Sequence, residues 1–168
     1  MRDETRHTCF APQVAPDCRV LILGSLPGAV SLAQAQYYAH PRNQFWQVLG
    51  AMLGIDLVNA AYEARIASLN ARGIGLWDCI ASAQRRGSLD GAIRTAQINP
   101  LQEFVNGLPQ LRAVAFNGVT AAKIGHVQLS GNARIEKLAL PSTSPAYTMP
   151  LNQKLAAWEA LVPFVTGP

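Results

Sequence analysis

The residues best suited to chemistry lie close together in the N-terminal half of the chain. Tyr38 offers a ring that can stack on a planar ligand, and Asn43 offers an amide that can hold a water molecule. His40 and Arg42 stand beside them and are suited to phosphate contacts. All four follow an apolar run that ends in the glycine–proline loop Gly24–Gly28. A buried strand, such a loop and polar aromatic residues together predict a ligand site made of side chains and backbone amides.

The Gly24–Gly28 loop lacks the spacing of the common phosphate-binding loops. It contains neither GxGxxG nor GK[ST], and Pro27 has no backbone N–H to donate. Two interpretations stay open, a plain structural turn and a segment that shapes a pocket and offers amides. No bound cofactor is predicted.

The elements that must position these residues alternate along the chain. Apolar runs typical of strands are Arg19–Leu23, Gly75–Cys79, Arg112–Phe116 and Arg134–Leu140. Helical spacing is found in Asn43–Leu53, Asn59–Asn70, Pro100–Leu108, Val119–His126 and Leu151–Val165. This order predicts an α/β fold, a three-layer α/β/α arrangement around a central four-stranded, mainly parallel sheet. A polar loop follows each strand, so these loops should meet at one edge of the sheet, where ligands bind.

Composition narrows the class of protein. The 168 residues are 49% hydrophobic and 14% charged, which predicts one domain over 1–168 with an irregular segment over 1–15. The three cysteines form no CxxC pair and are too few for a four-thiolate site, so no metal is expected. No apolar run is long enough for a membrane span and no leader is recognised, which favours a cytoplasmic protein. The net charge of +4 is compatible with a nucleic-acid partner.

Five segments, taken in order, resemble one family. They are GSLPG, YYAHPRNQFW, GLWDCI, AFNGVTAAK and LPSTSPA, spread over roughly residues 19–160. Together they resemble the uracil-DNA glycosylase superfamily, especially its mismatch-specific members and its hypoxanthine (deoxyinosine) branch. The block AHPRNQFW is the most specific of them, and LPSTSPA matches the second signature loop of the superfamily.

The resemblance implies roles for two residues of the first segments. Enzymes that act on a base in DNA flip it out of the stack, and Tyr38 lies where relatives stack that base. Many members carry Asp or Asn where this chain has Leu26, which cannot hold a water; the hypoxanthine branch uses the asparagine of PRN, here Asn43. Each has a structural alternative, a core tyrosine for Tyr38 and an N-cap for a helix beginning at Gln44 for Asn43.

Further roles follow from the same resemblance. Backbone amides at Ser25 and Leu26 would stabilise the leaving base, and Asp78 would accept a hydrogen bond from its edge, although Asp78 could equally be a structural acceptor. Leu140 replaces the His or Asn that often precedes Pro-Ser, so that loop supplies no strong electrophile. The predicted DNA contacts are His40, Arg42, Ser142, Thr143 and Ser144, with the loop 143–148 entering the minor groove. A proline-bounded turn is the structural alternative for that loop.

The function expected from the resemblance is a monofunctional DNA glycosylase that needs no metal or cofactor. It would hydrolyse the N-glycosidic bond of a deaminated base, deoxyinosine or uracil, by base flipping and water attack. Lysines lie on predicted helix or strand faces, so strand cleavage through a Schiff base is not expected. The alternatives are a mismatch-specific uracil/thymine glycosylase, an inactive DNA-binding relative that has lost groups at Leu26 and Leu140, and another hydrolase, for which no GxSxG motif exists. A monomer is the default.

Overall fold

The fold is built from strands and helices that alternate for most of the chain. The structure, a computed structural model, describes residues 5–166. Within this range the strands are β1 (Arg6–Thr8), β2 (Val20–Gly24), β3 (Ile74–Asp78), β4 (Ile80–Gln84), β5 (Arg94–Ile98), β6 (Ala113–Asn117) and β7 (Glu136–Leu140). The helices are α1 (Ala29–Gln34), α2 (Phe45–Leu53), α3 (Tyr62–Ala71), α4 (Leu101–Asn106), α5 (Val119–Gln128), α6 (Leu151–Trp158) and α7 (Val162–Thr166).

Four of the strands form one parallel sheet in the order β3-β2-β6-β7. β2, β3 and β6 are buried at every position, as continuous apolar runs in a parallel sheet require. The edge strand β7 is buried only in part. The predicted four-stranded sheet is confirmed, and all its pairings are parallel.

Helices cover both faces of this sheet. Successive side chains of β2 point to opposite faces, so Val20 and Ile22 pack with residues of α2, α3 and α6, while Leu21 and Leu23 pack with α4 and α5. Aromatic rings of Phe45 on α2 and Trp158 on α6 meet in the first of these two cores, 6.1 Å apart. The three-layer arrangement follows from this alternation.

A second sheet lies outside the predicted architecture. β1, β4 and β5 form an antiparallel sheet in the order β1-β4-β5. β1 falls within the 1–15 segment that was expected to be irregular, and residues 1–4 of that segment lie outside the described residues. β5 is exposed along its whole length, so its sequence carries no apolar alternation by which it could be recognised.

Some helix boundaries also differ from the prediction. α2 begins at Phe45 rather than at Asn43, and the short helix α1 was not predicted. The last predicted helix is divided by a 3-10 turn over Glu159–Leu161 before Pro163, which lacks the N–H that would continue the preceding α-helical ladder. Within residues 5–166 no helix has the length and apolar character needed to cross a membrane.

Candidate active site

One pocket lies at the carboxyl edge of the parallel sheet. Its volume is about 500 Å³, and its walls are formed by the end of β3 and by the loops that follow β2, β4, β6 and β7. The residues proposed from sequence that line it are Ser25, Leu26, Tyr38, His40, Asn43, Asp78, Ser142, Thr143 and Ser144. Arg42 is exposed and is not among the lining residues. The strand order thus brings together segments that are more than one hundred residues apart in sequence.

Tyr38 presents a half-buried ring in this pocket. The ring lies nearly parallel to that of Phe45, with centroids 3.9 Å apart and an interplanar angle of 18°. The backbone of Tyr38 has a φ of 54°, a left-handed conformation that is uncommon for a bulky residue. Its neighbour Tyr37 is buried and packs edge-on against Phe10. Phe45, which sequence reasoning did not place in the site, therefore supports the ring of Tyr38 from beneath.

Asn43 lies at the beginning of α2. Its side-chain Oδ1 accepts a hydrogen bond from the backbone N–H of Phe45 at 3.0 Å, and its own backbone N–H donates to the carbonyl of His40 at 2.9 Å. The structural alternative for this residue is therefore present, one position earlier than an ordinary N-cap, since Gln44 occupies the N-cap. That bond uses one lone pair of Oδ1, and an amide oxygen has two.

Asp78 ends β3 on the floor of the pocket and is only 3% exposed. Its Oδ1 lies so close to Gly24 that a methyl group there would be 2.7 Å from it and 3.2 Å from the Tyr38 hydroxyl. Burial, aided by the negative charge of Asp90 and opposed by Arg85, raises the pKa of the Asp78 carboxyl to about 7. Asp78 was predicted to act as a carboxylate acceptor, whereas a carboxyl with this pKa is neutral in a substantial fraction of molecules at pH 7.

Buried Arg85 fastens the Gly24–Gly28 loop. Its guanidinium donates to the carbonyl of Leu26 at 3.4 Å and to the carbonyl of Pro27. The hydroxyl of Ser25 donates to Asp90 Oδ1 at 2.6 Å. The Leu26 side chain packs with Ile80 in a small apolar cluster. Sequence reasoning missed Arg85 and Asp90, because nothing in the pattern distinguishes them from the other scattered charged residues.

Thr143 is buried and holds the loop after β7 in place. Its N–H donates to Asn117 Oδ1 and its Oγ1 accepts from Asn117 Nδ2, both at 3.0 Å. Its carbonyl accepts the N–H of Gln44, also at 3.0 Å, which joins this loop to the start of α2. The prediction that Thr143 contacts DNA needs correction, since its side chain is fully enclosed. Asn117, the last residue of β6, therefore anchors this loop to the parallel sheet.

Lys154 and Trp158 on α6 hold the same loop from the other side. Lys154 Nζ donates to the carbonyls of Tyr147 and Ser144, at 2.8 and 3.5 Å, and Trp158 Nε1 donates to the carbonyl of Pro141 at 2.9 Å. Lys154 is 1% exposed, and desolvation lowers its pKa. The lysine lies on a helix, as predicted, and its ammonium group hydrogen-bonds backbone carbonyls of the loop.

Replacing Lys154 with methionine is expected to destabilise the protein by about 1–3 kcal/mol, because the charge-assisted bonds to the carbonyls of Ser144 and Tyr147 are lost. Hydrogen exchange at residues 144–149 should become faster. The matched control is Lys137→Met near the start of β7, whose Nζ donates to the carbonyl of Asn132 at 2.6 Å and lies away from the pocket. Urea unfolding and exchange measured for both variants check this, and equal exchange in the loop would contradict it.

The rim of the pocket carries polar groups that stay partly accessible. Ser142 and Ser144 are half-buried, and each hydroxyl oxygen accepts a backbone N–H two residues further on. His40 Nδ1 accepts the backbone N–H of Arg42 at 3.1 Å. Tyr147 is 43% exposed above the loop. The hydroxyl protons of Ser142 and Ser144 are not used in these bonds and can be donated to an anionic ligand.

A metal site is not formed by the described part of the chain. Over residues 5–166 no three or more His, Cys, Asp and Glu side chains are grouped so that they could hold an ion. The three cysteines are free thiols.

Comparisons with known proteins agree with one another. The chain matches the family model for the uracil DNA glycosylase superfamily over residues 11–162. It is 41% identical over 109 residues to a hypoxanthine DNA glycosylase of Methanosarcina barkeri, covering 65% of this chain and 69% of that protein. It is 36% identical over 152 residues to a hypoxanthine DNA glycosylase of Methanosarcina acetivorans, covering 90% and 95%. A solution NMR structure of a candidate uracil DNA glycosylase from Methanosarcina acetivorans superposes with a TM-score of 0.84 at 34% identity, covering 94% and 96%.

Proposed function

The chain belongs to the uracil DNA glycosylase superfamily, and we propose that it hydrolyses the N-glycosidic bond of deaminated bases in DNA, with hypoxanthine as its main substrate. Two relatives that are 36% and 41% identical carry the name hypoxanthine DNA glycosylase. The observation that carries the proposal is the pocket itself, in which Tyr38 and Asn43 stand at one sheet edge beside the buried Asp78.

Base capture is assigned to Tyr38. A base inside a duplex is out of reach of a pocket, so the enzyme must rotate it out of the stack. Phe45 covers one face of the Tyr38 ring at stacking distance, and the flipped base would take the other face. Stacking on an aromatic ring is worth about 1–3 kcal/mol per base and accepts every base, which suits capture better than selection.

Water attack is assigned to Asn43. The side chain is fixed by its bond to the Phe45 N–H, so its remaining polar groups have a defined direction. An amide cannot remove a proton at neutral pH, but it can orient a water molecule toward the sugar carbon. This is sufficient when the bond to the base breaks first and leaves positive charge on the sugar. Leu26, packed into an apolar cluster, cannot contribute to this step.

Phosphate contacts are assigned to the rim. Ser142 and Ser144 can donate hydroxyl protons, His40 also lines the pocket, and Arg42, two residues after His40, is exposed. The net charge of +4 favours an anionic partner and predicts that binding weakens as salt is added. The fully enclosed Thr143 is not part of this set.

The test uses labelled DNA duplexes that each carry one inosine, uracil or xanthine. Incubation with the protein in EDTA, followed by alkali, should cleave the inosine duplex at the modified position, and no cleavage should occur before alkali. Cleavage of none of the three duplexes despite measurable binding would overturn the proposal and favour an inactive DNA-binding relative. Preferential release of uracil or mismatched thymine would favour the mismatch-specific alternative.

A further inference from the structure

Two buried polar atoms on the floor of the pocket lack hydrogen-bond partners. Within the described residues, neither Asp78 Oδ2 nor the Tyr38 hydroxyl has one. The Asp78 carboxyl and the Tyr38 hydroxyl both lie near Gly24, where a methyl group would be 2.7 Å from Asp78 Oδ1 and 3.2 Å from the Tyr38 oxygen. A buried polar group without a partner is unfavourable, and native structures keep few such groups, some of them at sites where a ligand or a water completes them. The floor of the pocket is therefore built for a polar ligand edge.

The surroundings of Asp78 give its carboxyl no ion pair among residues 5–166. Arg85, whose positive charge acts on Asp78, donates its guanidinium N–H groups to the carbonyls of Leu26 and Pro27. Asp90 faces the same region with a like charge and accepts the Ser25 hydroxyl at 2.6 Å. The other titratable neighbours, Tyr37, Tyr38, Cys9 and Cys79, are neutral at pH 7 because burial raises the pKa of each. Asn99 Nδ2 donates a hydrogen bond to the backbone carbonyl of Asp78 at 2.8 Å, so the backbone of Asp78 is held in place.

We propose that Asp78 takes part in the reaction as a carboxylic acid, which hydrogen-bonds the edge of the flipped base and gives it a proton as the glycosidic bond breaks. This inference rests on the proposed glycosylase function and adds a residue that activates the leaving base. The electron pair of the bond passes to the base, which takes the Asp78 proton and leaves neutral. Water adds to the sugar carbon and loses a proton, and the Asp78 carboxylate regains one from solvent.

Asp78 is the side chain of the lining best placed to protonate the leaving base. Leu26 and Leu140 line the pocket and are buried, and their apolar side chains can supply neither a proton nor a hydrogen bond. Asp90, the other carboxyl of the lining, is exposed and engaged with Ser25. A carboxyl pKa of about 7 allows Asp78 to carry its proton at neutral pH and still release it.

The test is the single-turnover rate of base release from an inosine duplex between about pH 5.5 and about pH 9.5, with excess protein. For the wild type we expect the rate to fall about tenfold per pH unit above about pH 7. Asp78→Asn keeps the size and a donor group but has no transferable proton; it should be about 100-fold slower at neutral pH and flat over that range. Asp90→Asn keeps the acceptor for Ser25 and removes the like charge, so its alkaline decline should begin at lower pH.

The outcomes separate this inference from the function itself. An active wild type whose alkaline decline persists in Asp78→Asn would place the titration on the base or elsewhere and overturn the inference alone. So would Asp78→Asn activity within about threefold of the wild type. If Asp78→Asn does not fold, the Asp90→Asn profile decides, and an unshifted decline overturns the inference. A wild type that releases no base from any duplex overturns the proposed function, and this inference with it.

Discussion

Asn43→Ser is expected to keep the fold and stability of the wild-type protein while losing about 100-fold in the rate of base release. Serine can accept the Phe45 N–H that Asn43 Oδ1 accepts at 3.0 Å, and serine and asparagine are equally favoured at helix beginnings. The shorter hydroxyl cannot reach the position from which the amide would orient water. The substitution therefore separates the capping role of the residue from its proposed catalytic role.

Asn43→Ala provides the comparison, because it removes both roles. It should lose a similar factor in rate and, in addition, about 1 kcal/mol of stability through the missing acceptor at the start of α2. Urea unfolding and single-turnover kinetics on the inosine duplex measure the two effects independently. Wild-type activity in Asn43→Ser would mean that Asn43 acts only as a cap and that another group holds the water.

Asp78→Asn is expected to make the protein more stable in alkaline solution. The carboxyl has a pKa of about 7 in the folded protein against an ordinary value of 3.8, so the folded state binds the proton more tightly than the unfolded state. Stability is then lost as pH rises from about 4 through about 7, and the loss is complete above that. An amide has similar size and no charge, so at about pH 8 the variant should gain about 4 kcal/mol in the free energy of unfolding.

Urea unfolding of the wild type and Asp78→Asn at about pH 4 and about pH 8 checks this, with a difference expected only at the higher pH. Asp17→Asn, which replaces an exposed carboxylate far from the pocket, is the control and should unfold like the wild type at both values. If the variant is less stable than the wild type at the higher pH, ionisation of Asp78 in the folded protein costs little free energy, which contradicts the prediction. A gain would identify a residue whose instability is retained for activity.

The central sheet was predictable because each of its buried strands is recognisable from a short stretch of sequence. β2, β3 and β6 are short, mostly apolar runs, and such runs next to glycine- or asparagine-containing loops are typical of strands buried on both faces. The second sheet has no such signature, since β5 is exposed throughout and β1 has three residues. The pairing of this sheet depends on where β4 lies in the folded protein, which the local sequence does not indicate.

The site was predictable to the extent that strand order determines it. Polar loops after parallel strands meet at one edge, and this placed Tyr38, Asn43 and Asp78 in one pocket. Which polar side chains face the ligand was not predictable, because that depends on partners distant in sequence. Thr143 has the same residue type as a phosphate contact, yet Asn117 encloses it; Arg85 resembles a surface arginine, yet it is buried beneath the Gly24–Gly28 loop.

The bonds that fasten the loop after β7 affect the thermodynamics of DNA recognition. Asn117, Lys154 and Trp158 hold its backbone at Thr143, Tyr147 and Pro141 before any ligand arrives. The conformational entropy of these residues is therefore lost when the chain folds and not when the complex forms. More of the favourable free energy of DNA contacts at this loop then remains to offset the cost of unstacking the damaged base.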